Sequence, residues 1–484
     1  MERGIQIAEA LARQTDIEEQ RIETGADSLA RYFADFDPKA EDLPRCAVFP
    51  KNGSEIEQIV RFANEQGVAL TPRSSRISRL EKGNPAAGGI VVDLQRMNRI
   101  LEIDGDNKRV KLEPGVTFQE LEAALAESGL QYCNPFFPHP ESSVLTSSLE
   151  RDPILIPKPE YTDTFLTAEI VLPNGELFRT GSAIGSGLSG IYPDGLFPGI
   201  NLFKGAQGTF GIVVWANLKL EWRPVKDRLF FVPFRSPSAI ARPMAEILRK
   251  DIVRECFIVN DVVLRWLNAD RFAEPVIFDG GVPEWTALCC LSGGEFLPEE
   301  KIEYQQEALQ ESLERFNLPY FIDPVRAGEG RMECIRSCGA PSQKDWRGRL
   351  AGGPCKLLSF FIPFGRFSRI YEALQARLKS LGWPAGEVGV YLQPVEYGRA
   401  VFCEFLLPCG PGHAGDKDRL ERGYREIIRT ALDQDAFFSN PCGAAASEVF
   451  ERASDYLEMV RVLKEIFDPR WIMNPDRFSL KQRN

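Results

Sequence analysis

Histidine is nearly missing from this chain: only His139 and His413 occur in 484 residues. That scarcity excludes a multi-histidine metal centre and removes the usual base of a hydrolytic triad. No apolar run approaches the roughly 20 residues needed to cross a bilayer, and even Leu357 to Pro363 is soon broken by polar residues and proline. The opening stretch, Met1 to Gln20, carries Glu2, Arg3, Glu9, Arg13, Asp16 and Glu18 at helix-like intervals instead of a signal peptide's apolar core. Export is therefore not expected, and a cytoplasmic protein is. Basic charge is also in deficit. A net charge of -11 argues against a nucleic-acid backbone as partner. The 11 cysteines include no CxxC pairs, which argues against zinc and iron-sulfur ligand sets. An odd count in an unexported chain reads as reduced thiols.

What remains is the composition of an ordinary globular protein, 44% apolar and 26% charged, without repeats or low-complexity segments. Its length exceeds what one hydrophobic core supports, so two or three domains are expected. Asn52 to Gly67 reads as a helix, with Ser54 and Glu57 as a capping box, an apolar face of Ile56, Ile59, Val60 and Ala63, and Gly67 as the stop. A short strand at Val68 to Thr71 leads into the loop Pro72-Arg73-Ser74-Ser75-Arg76, and Ile90 to Leu94 reads as a buried strand. Arg73, Arg76, Arg79 and Lys82 make a local basic cluster that suits either a small anion or a solvated surface loop.

Ile100 to Ile103 and Val110 to Leu112 form a hairpin pattern, and Thr117 with Glu120 caps a second helix that Gly129 should end. Leu166 to Leu172 and Glu176 to Arg179 flank the turn Pro173-Asn174-Gly175. Gly181 to Gly190 should be an exposed loop. The run from Gly205 to Val214 passes from a glycine turn straight into strand-formers, and Pro224 marks a boundary. Beyond it, strands such as Leu229 to Val232 mix with long helices at Pro298 to Phe316 and Arg366 to Leu381. One last helix is expected over Ser447 to Ile466.

Taken in order, five segments resemble the vanillyl-alcohol oxidase and p-cresol methylhydroxylase superfamily, and within it the glycolate-oxidase-subunit-D-like FAD proteins. They are Val48 to Gly67; Ile90 to Leu94 with Met97-Asn98; Val110 to Leu130; Phe203 to Leu220; and Phe467-Asp468-Pro469 followed by Ile472-Met473-Asn474-Pro475. The resemblance implies an α+β, two-domain fold. Residues 1–44 would form an N-terminal helical segment, 45–225 the FAD-binding domain, 226–440 a cap over the substrate, and 441–484 a segment returning to the FAD domain. The cofactor would lie extended between domain and cap. Its diphosphate needs converging main-chain N–H groups, and small residues allow the close approach.

The expected cofactor contacts follow from those segments. They are Pro72, Arg73, Ser74, Ser75, Arg76 and Ile77 in one turn; Ser142, Ser143 and Ser147; Gly205, Ala206, Gln207, Gly208, Thr209, Gly211, Ile212 and Val213 in the other turn; and Asn474. The chain departs from the family at Ser74-Ser75-Arg76, where consecutive glycines are usual, and at Ser147-Ser148-Leu149-Glu150-Arg151, where a glycine-rich flavin contact is usual. No histidine, cysteine or tyrosine sits in an attachment motif, so noncovalent FAD is expected, with His139 a structural loop residue between Pro138 and Pro140.

The resemblance further implies oxidation of a small hydroxylated substrate, such as a 2-hydroxy acid, by hydride transfer to the flavin. Proton handling and substrate binding then fall to the cap strand at Tyr391, Glu396, Tyr397 and Arg399, where arginine suits a substrate carboxylate. Related hydroxy-acid dehydrogenases carry metal-binding histidines near here. This chain has none, and Ser439-Asn440-Pro441-Cys442 lacks the later one. Two alternatives stay open: a phenolic-compound oxidase of the same fold, and a non-catalytic or electron-transfer subunit with a degenerate flavin site. An iron-sulfur or other electron-transfer centre would belong to a partner subunit.

Overall fold

The computed structural model describes residues 2–33, 43–77, 84–85, 88–184, 190, 192, 199–272, 274–278, 281–323, 330–338, 346–350, 353, 355–383, 385–409, 417–475 and 477–480. Arg79, Lys82, His413 and much of the loop expected at Gly181 to Gly190 lie outside them. Strand-forming runs build three main sheets of four, five and seven strands.

The first sheet centres on Ile90–Asp93, whose unbroken apolar run is buried on both faces. Cys46–Val48 and Leu70–Arg73 flank it in parallel, and Ile22–Glu23 adds an antiparallel edge. The crossover between the two flanking strands is the helix Gly53–Gln66, which buries Ile56, Ile59, Val60 and Ala63 in this core. Its start differs from the expected capping box: the Asn52 side chain accepts from the Glu55 N–H at 3.0 Å. Either residue type can serve, and the preceding turn puts Asn52 in the cap position. Gly67 closes the helix in the left-handed region at φ 63°.

The second sheet is antiparallel, in the order Ile100–Asp104, Arg109–Leu112, Ile212–Lys219, Phe165–Val171 and Leu177–Arg179. The strand that leaves the glycine turn is therefore the central one. Ile212 and Val214 pack into the core of the first sheet, so the two sheets share a wall. The capping box of Thr117 and Glu120 forms as the sequence reads, with the Glu120 N–H donating to Thr117 Oγ1 at 3.2 Å.

The third sheet runs Phe321–Ile322, Lys226–Phe234, Trp285–Gly293, Glu255–Asn260, Gly389–Val395, Ala400–Pro408 and Cys355–Pro363, antiparallel throughout. Side chains alternate between its faces, as a strand requires. Phe230, Val232, Val390 and Leu392 pack with helices such as Phe367–Ser380 and Lys417–Leu432 on one side. Phe231 and Tyr391 face the other way, onto Phe136, Phe137 and Leu155.

The helix expected over Ser447 to Ile466 is two, Gly443–Arg452 and Ser454–Phe467. The chain breaks at Ala453 (φ -116°, ψ 45°), and Asp455 falls in the new first turn, where a carboxylate favours helix initiation. The chain then returns to the first sheet. Met473 pairs with Leu70 in parallel, the Leu70 N–H donates to Ile472 O at 2.6 Å, and the Asn474 N–H donates to Leu70 O at 2.8 Å.

Candidate functional site

Where the two smaller sheets and the returning C-terminal segment meet, a cleft opens with about 1300 Å³ of space free of protein atoms, part of it open to solvent. Its wall joins the serine-arginine turn to the glycine turn. A Cβ built on Gly208 would collide with the ring of Pro72, and Gly208 sits at φ 73° besides. Only glycine allows this approach without strain.

The glycine turn is held from behind. Gln207 adopts φ 51°, a costly conformation for a residue with a side chain. Two contacts offset the cost: Asn474 Nδ2 donates to Gln207 O at 2.6 Å, and Gln207 Nε2 donates to Pro441 O at 3.2 Å. The Gly205 N–H is tied to Leu149 O at 2.8 Å. Below lies a fully buried ion pair, Lys464 with Asp468 at 2.6 Å. Lys464 Nζ also donates to Thr209 O at 2.8 Å and Met473 O at 2.5 Å, while Asp468 accepts the Ile472 and Met473 N–H groups. Burial pulls the Lys464 ammonium below its ordinary pKa, and the Asp468 charge opposes that.

The serine-arginine turn is braced by the segment beside it. Ser74 Oγ meets Thr146 Oγ1, and the Ser143 N–H donates to Ser75 Oγ at 3.0 Å. Serines thus cross-link the two loops. Arg73 lines the cleft; burial lowers its pKa, with Asp93 and Tyr32 working against the shift. Glu150 and Asp152 bring carboxylates to the same cleft, Asp152 Oδ2 accepting from Ser147 Oγ at 2.7 Å.

Of the cofactor contacts expected from sequence, the cleft wall brings together Pro72, Arg73, Ser74, Ser75, Ile77, Ser142, Ser143, Ser147, Ala206, Gln207, Gly208, Gly211, Ile212, Val213 and Asn474. Gly205 and Thr209 stand behind the turn rather than on its surface. Arg76 points elsewhere: its guanidinium pairs with Glu120 at 2.5 Å. The Glu120 carboxylate already caps a helix there and captures the nearest cation. Burial pushes that carboxyl up, but the Thr117 N–H and Arg76 more than offset it, leaving its pKa lowered.

The four residues expected to act chemically do not line the cleft. Tyr391 is buried in the third sheet's aromatic face, stacked on Phe136 with ring centroids 4.4 Å apart, its hydroxyl donating to Gln393 Oε1 at 2.7 Å. Glu396, Tyr397 and Arg399 lie past the strand's end in a turn, where Arg399 is 78% exposed and pairs with Glu396. The strand stops at Val395 because Glu396 and Tyr397 both turn left-handed, at φ 50° and 56°. Sequence reading missed Thr146, Glu150, Asp152, Phe203, Phe210 and Arg477 on the cleft wall. Thr146 carries a signal, three residues beyond the helix cap Ser143; Arg477 carries none, since only the fold brings the chain end here.

The wall suits a ligand rich in donors and acceptors. Among the described residues Ser142 Oγ and Gln207 Oε1 are buried without a hydrogen-bond partner, and buried polar atoms ordinarily have one. A dinucleotide with a diphosphate and ribose hydroxyls meets that demand.

Comparison with known proteins agrees with this geometry. Residues 44–181 match the family model described as an FAD binding domain. Along 96% of its length the chain is 28% identical to the glycolate oxidase subunit GlcD of Bacillus subtilis (strain 168), covering 97% of that protein. Its fold superposes on 4-ethylphenol oxidase from Gulosibacter chungangensis with a TM-score of 0.81, at 19% identity, covering 99% of this chain and 97% of that one. For p-cresol methylhydroxylase the TM-score is 0.80 at 17% identity, with 99% and 96% covered. Residues 44–181 thus match an FAD binding domain, the chain as a whole is similar to a glycolate oxidase subunit, and its fold is the one seen in 4-ethylphenol oxidase and p-cresol methylhydroxylase.

Proposed function

We propose that the chain is an FAD-dependent oxidoreductase that oxidises the CH–OH carbon of a small 2-hydroxy acid. The observation that carries this reading is the joining of two turns at one cleft, with Gly208 pressed on Pro72 and unpartnered polar atoms at Ser142 and Gln207 beside them. FAD, when bound, supplies the hydride acceptor. The chain's part is to bind, orient and move a proton. Pro72 to Ile77 and Ala206 to Val213 would hold the diphosphate and its flanking sugars, with Arg73 supplying positive charge. Glu150 and Asp152 are the carboxylates on the cleft wall, and one of them would receive the substrate hydroxyl proton. The 2-hydroxy acid is preferred because the relative matched over nearly the whole chain is named a glycolate oxidase subunit.

The cofactor would be held noncovalently: among the described cleft-lining residues there is no histidine, cysteine or tyrosine to carry a flavin bond. We place the protein in the cytoplasm. An odd number of cysteines, 11, without paired ligand spacings suits a reducing compartment. No described helix is long and apolar enough to cross a membrane. A partner subunit would take the electrons onward. The exposed Tyr456, Met459 and Ile466 on the last helix offer it an apolar face.

A phenolic substrate is the second reading, prompted by the likeness in fold to 4-ethylphenol oxidase and p-cresol methylhydroxylase. Anaerobic mixing of the FAD-loaded protein with a panel of substrates separates the two. Bleaching of the flavin by glycolate, lactate or 2-hydroxyglutarate supports the first reading; bleaching by 4-alkylphenols alone overturns it in favour of the second.

A further inference from the structure

Arg73 ends the strand Leu70–Arg73, and the parallel register sets Asp93 of Ile90–Asp93 directly beside it. The Asp93 carboxylate is buried, and it accepts from the Tyr32 hydroxyl at 2.8 Å and the Gln95 N–H at 3.1 Å. Tyr32 is buried too. Its carbonyl accepts from Arg73 Nη1 at 3.1 Å, and its ring lies 5.2 Å from the Arg73 guanidinium carbon. One tyrosine therefore grips the arginine by its carbonyl and its ring, while its hydroxyl anchors the neighbouring counter-charge.

Two physical consequences follow. An arginine that must find an anion from a freely rotating stem loses rotamer freedom on binding, and a stem already fixed loses less. A partly buried guanidinium also needs a compensating charge close by, which Asp93 supplies. Arg73 is on the cleft wall, within the turn that would face the diphosphate.

We propose that Tyr32 and Asp93 are positioning residues that hold the Arg73 guanidinium toward the diphosphate of the flavin dinucleotide. This rests on the FAD reading above. Tyr32 precedes the matched FAD binding domain, residues 44–181, so the segment around the helix Ala26–Ala30 becomes a working part of the cofactor site.

The test is to strip the cofactor and titrate the full chain with FAD and, separately, with riboflavin, which lacks the phosphates. In Asp93→Asn and Tyr32→Phe, FAD affinity should fall by about tenfold or more while riboflavin affinity stays within about twofold. Arg73→Gln should show the same split, and adding Asp93→Asn to it should cost nothing more, because neighbours acting through one group are non-additive. Should Asp93→Asn fail to fold, judged by its melting curve, Tyr32→Phe carries the test, since it removes a single hydroxyl. Equal losses for both flavins, unchanged FAD affinity, or additive losses would overturn the assignment. A wild-type chain that binds neither flavin refutes the cofactor reading and this assignment with it; tight wild-type FAD binding without the split refutes this assignment alone.

Discussion

Replacing Lys464 with methionine perturbs the device that ties the C-terminal helix to the glycine turn. The wild-type ammonium is fully buried, serves two carbonyls and neutralises Asp468, which is equally buried. Methionine fills the volume but leaves Asp468 charged and unmatched, with only the Ile472 and Met473 N–H groups to stabilise it. Breaking a buried pair from one side costs about 3–5 kcal/mol, and the Thr209 and Met473 carbonyls lose their donor in the same event. For a unit of this size each kcal/mol moves the melting point by about 2–4 °C, so a fall of roughly 10 °C or more is expected. The FAD affinity should drop as well, because Thr209 and Gln207 lie in one turn. The double variant Lys464→Met with Asp468→Leu removes both charges and should recover most of the loss, as apolar replacement of a buried pair is often neutral. Differential scanning fluorimetry of wild type, single and double variants reads this. A single variant melting within about 2 °C of wild type, against the loss worked out above, would refute the reasoning.

Other consequences are equally open to measurement. Gly208→Ala forces a side chain into the Pro72 ring at φ 73°; FAD affinity by fluorescence titration should weaken by about tenfold or more, the left-handed penalty alone being roughly 1–2 kcal/mol. Arg399→Ala removes an exposed ion pair that is not on the cleft wall, so steady-state kcat and KM should stay within about twofold. Glu120 has its folded pKa lowered from 4.5. The unfolded chain therefore binds the proton first as pH falls, so the stabilisation is present above pH 4.5 and is lost as pH drops through the folded value. Acid-unfolding curves of wild type and Glu120→Gln should diverge at neutral pH and converge at low pH.

The parts of the fold legible in the sequence were those fixed by local rules. Thr117 and Glu120 cap their helix, Gly67 ends its own, and the apolar run Ile90 to Val92 is buried on both faces. The glycine turn was legible because Gly208 stands at a position that no other residue fills without strain. The pairing of Arg76 was not legible, because sequence shows its charge but not its nearest partner, and Glu120 lies 44 residues away. The break at Ala453 carries no proline or glycine, so an amphipathic pattern ran through it unmarked. Arg477 and Lys464 owe their roles to the chain's return to Leu70, a long-range pairing that no local pattern encodes. The strand at Tyr391 was correctly alternated, yet its face proved to be packed core, because the aromatic rings opposite come from Phe136 and Phe137, more than two hundred residues earlier.

The central claim is that two turns and the returning chain end form one site for FAD. The most direct measurement is size-exclusion chromatography of the purified full chain after incubation with excess FAD, followed at a visible flavin wavelength. The expected result is flavin absorbance coeluting with the protein at one equivalent per chain and released into the supernatant by acid precipitation. A colourless protein peak would contradict the account.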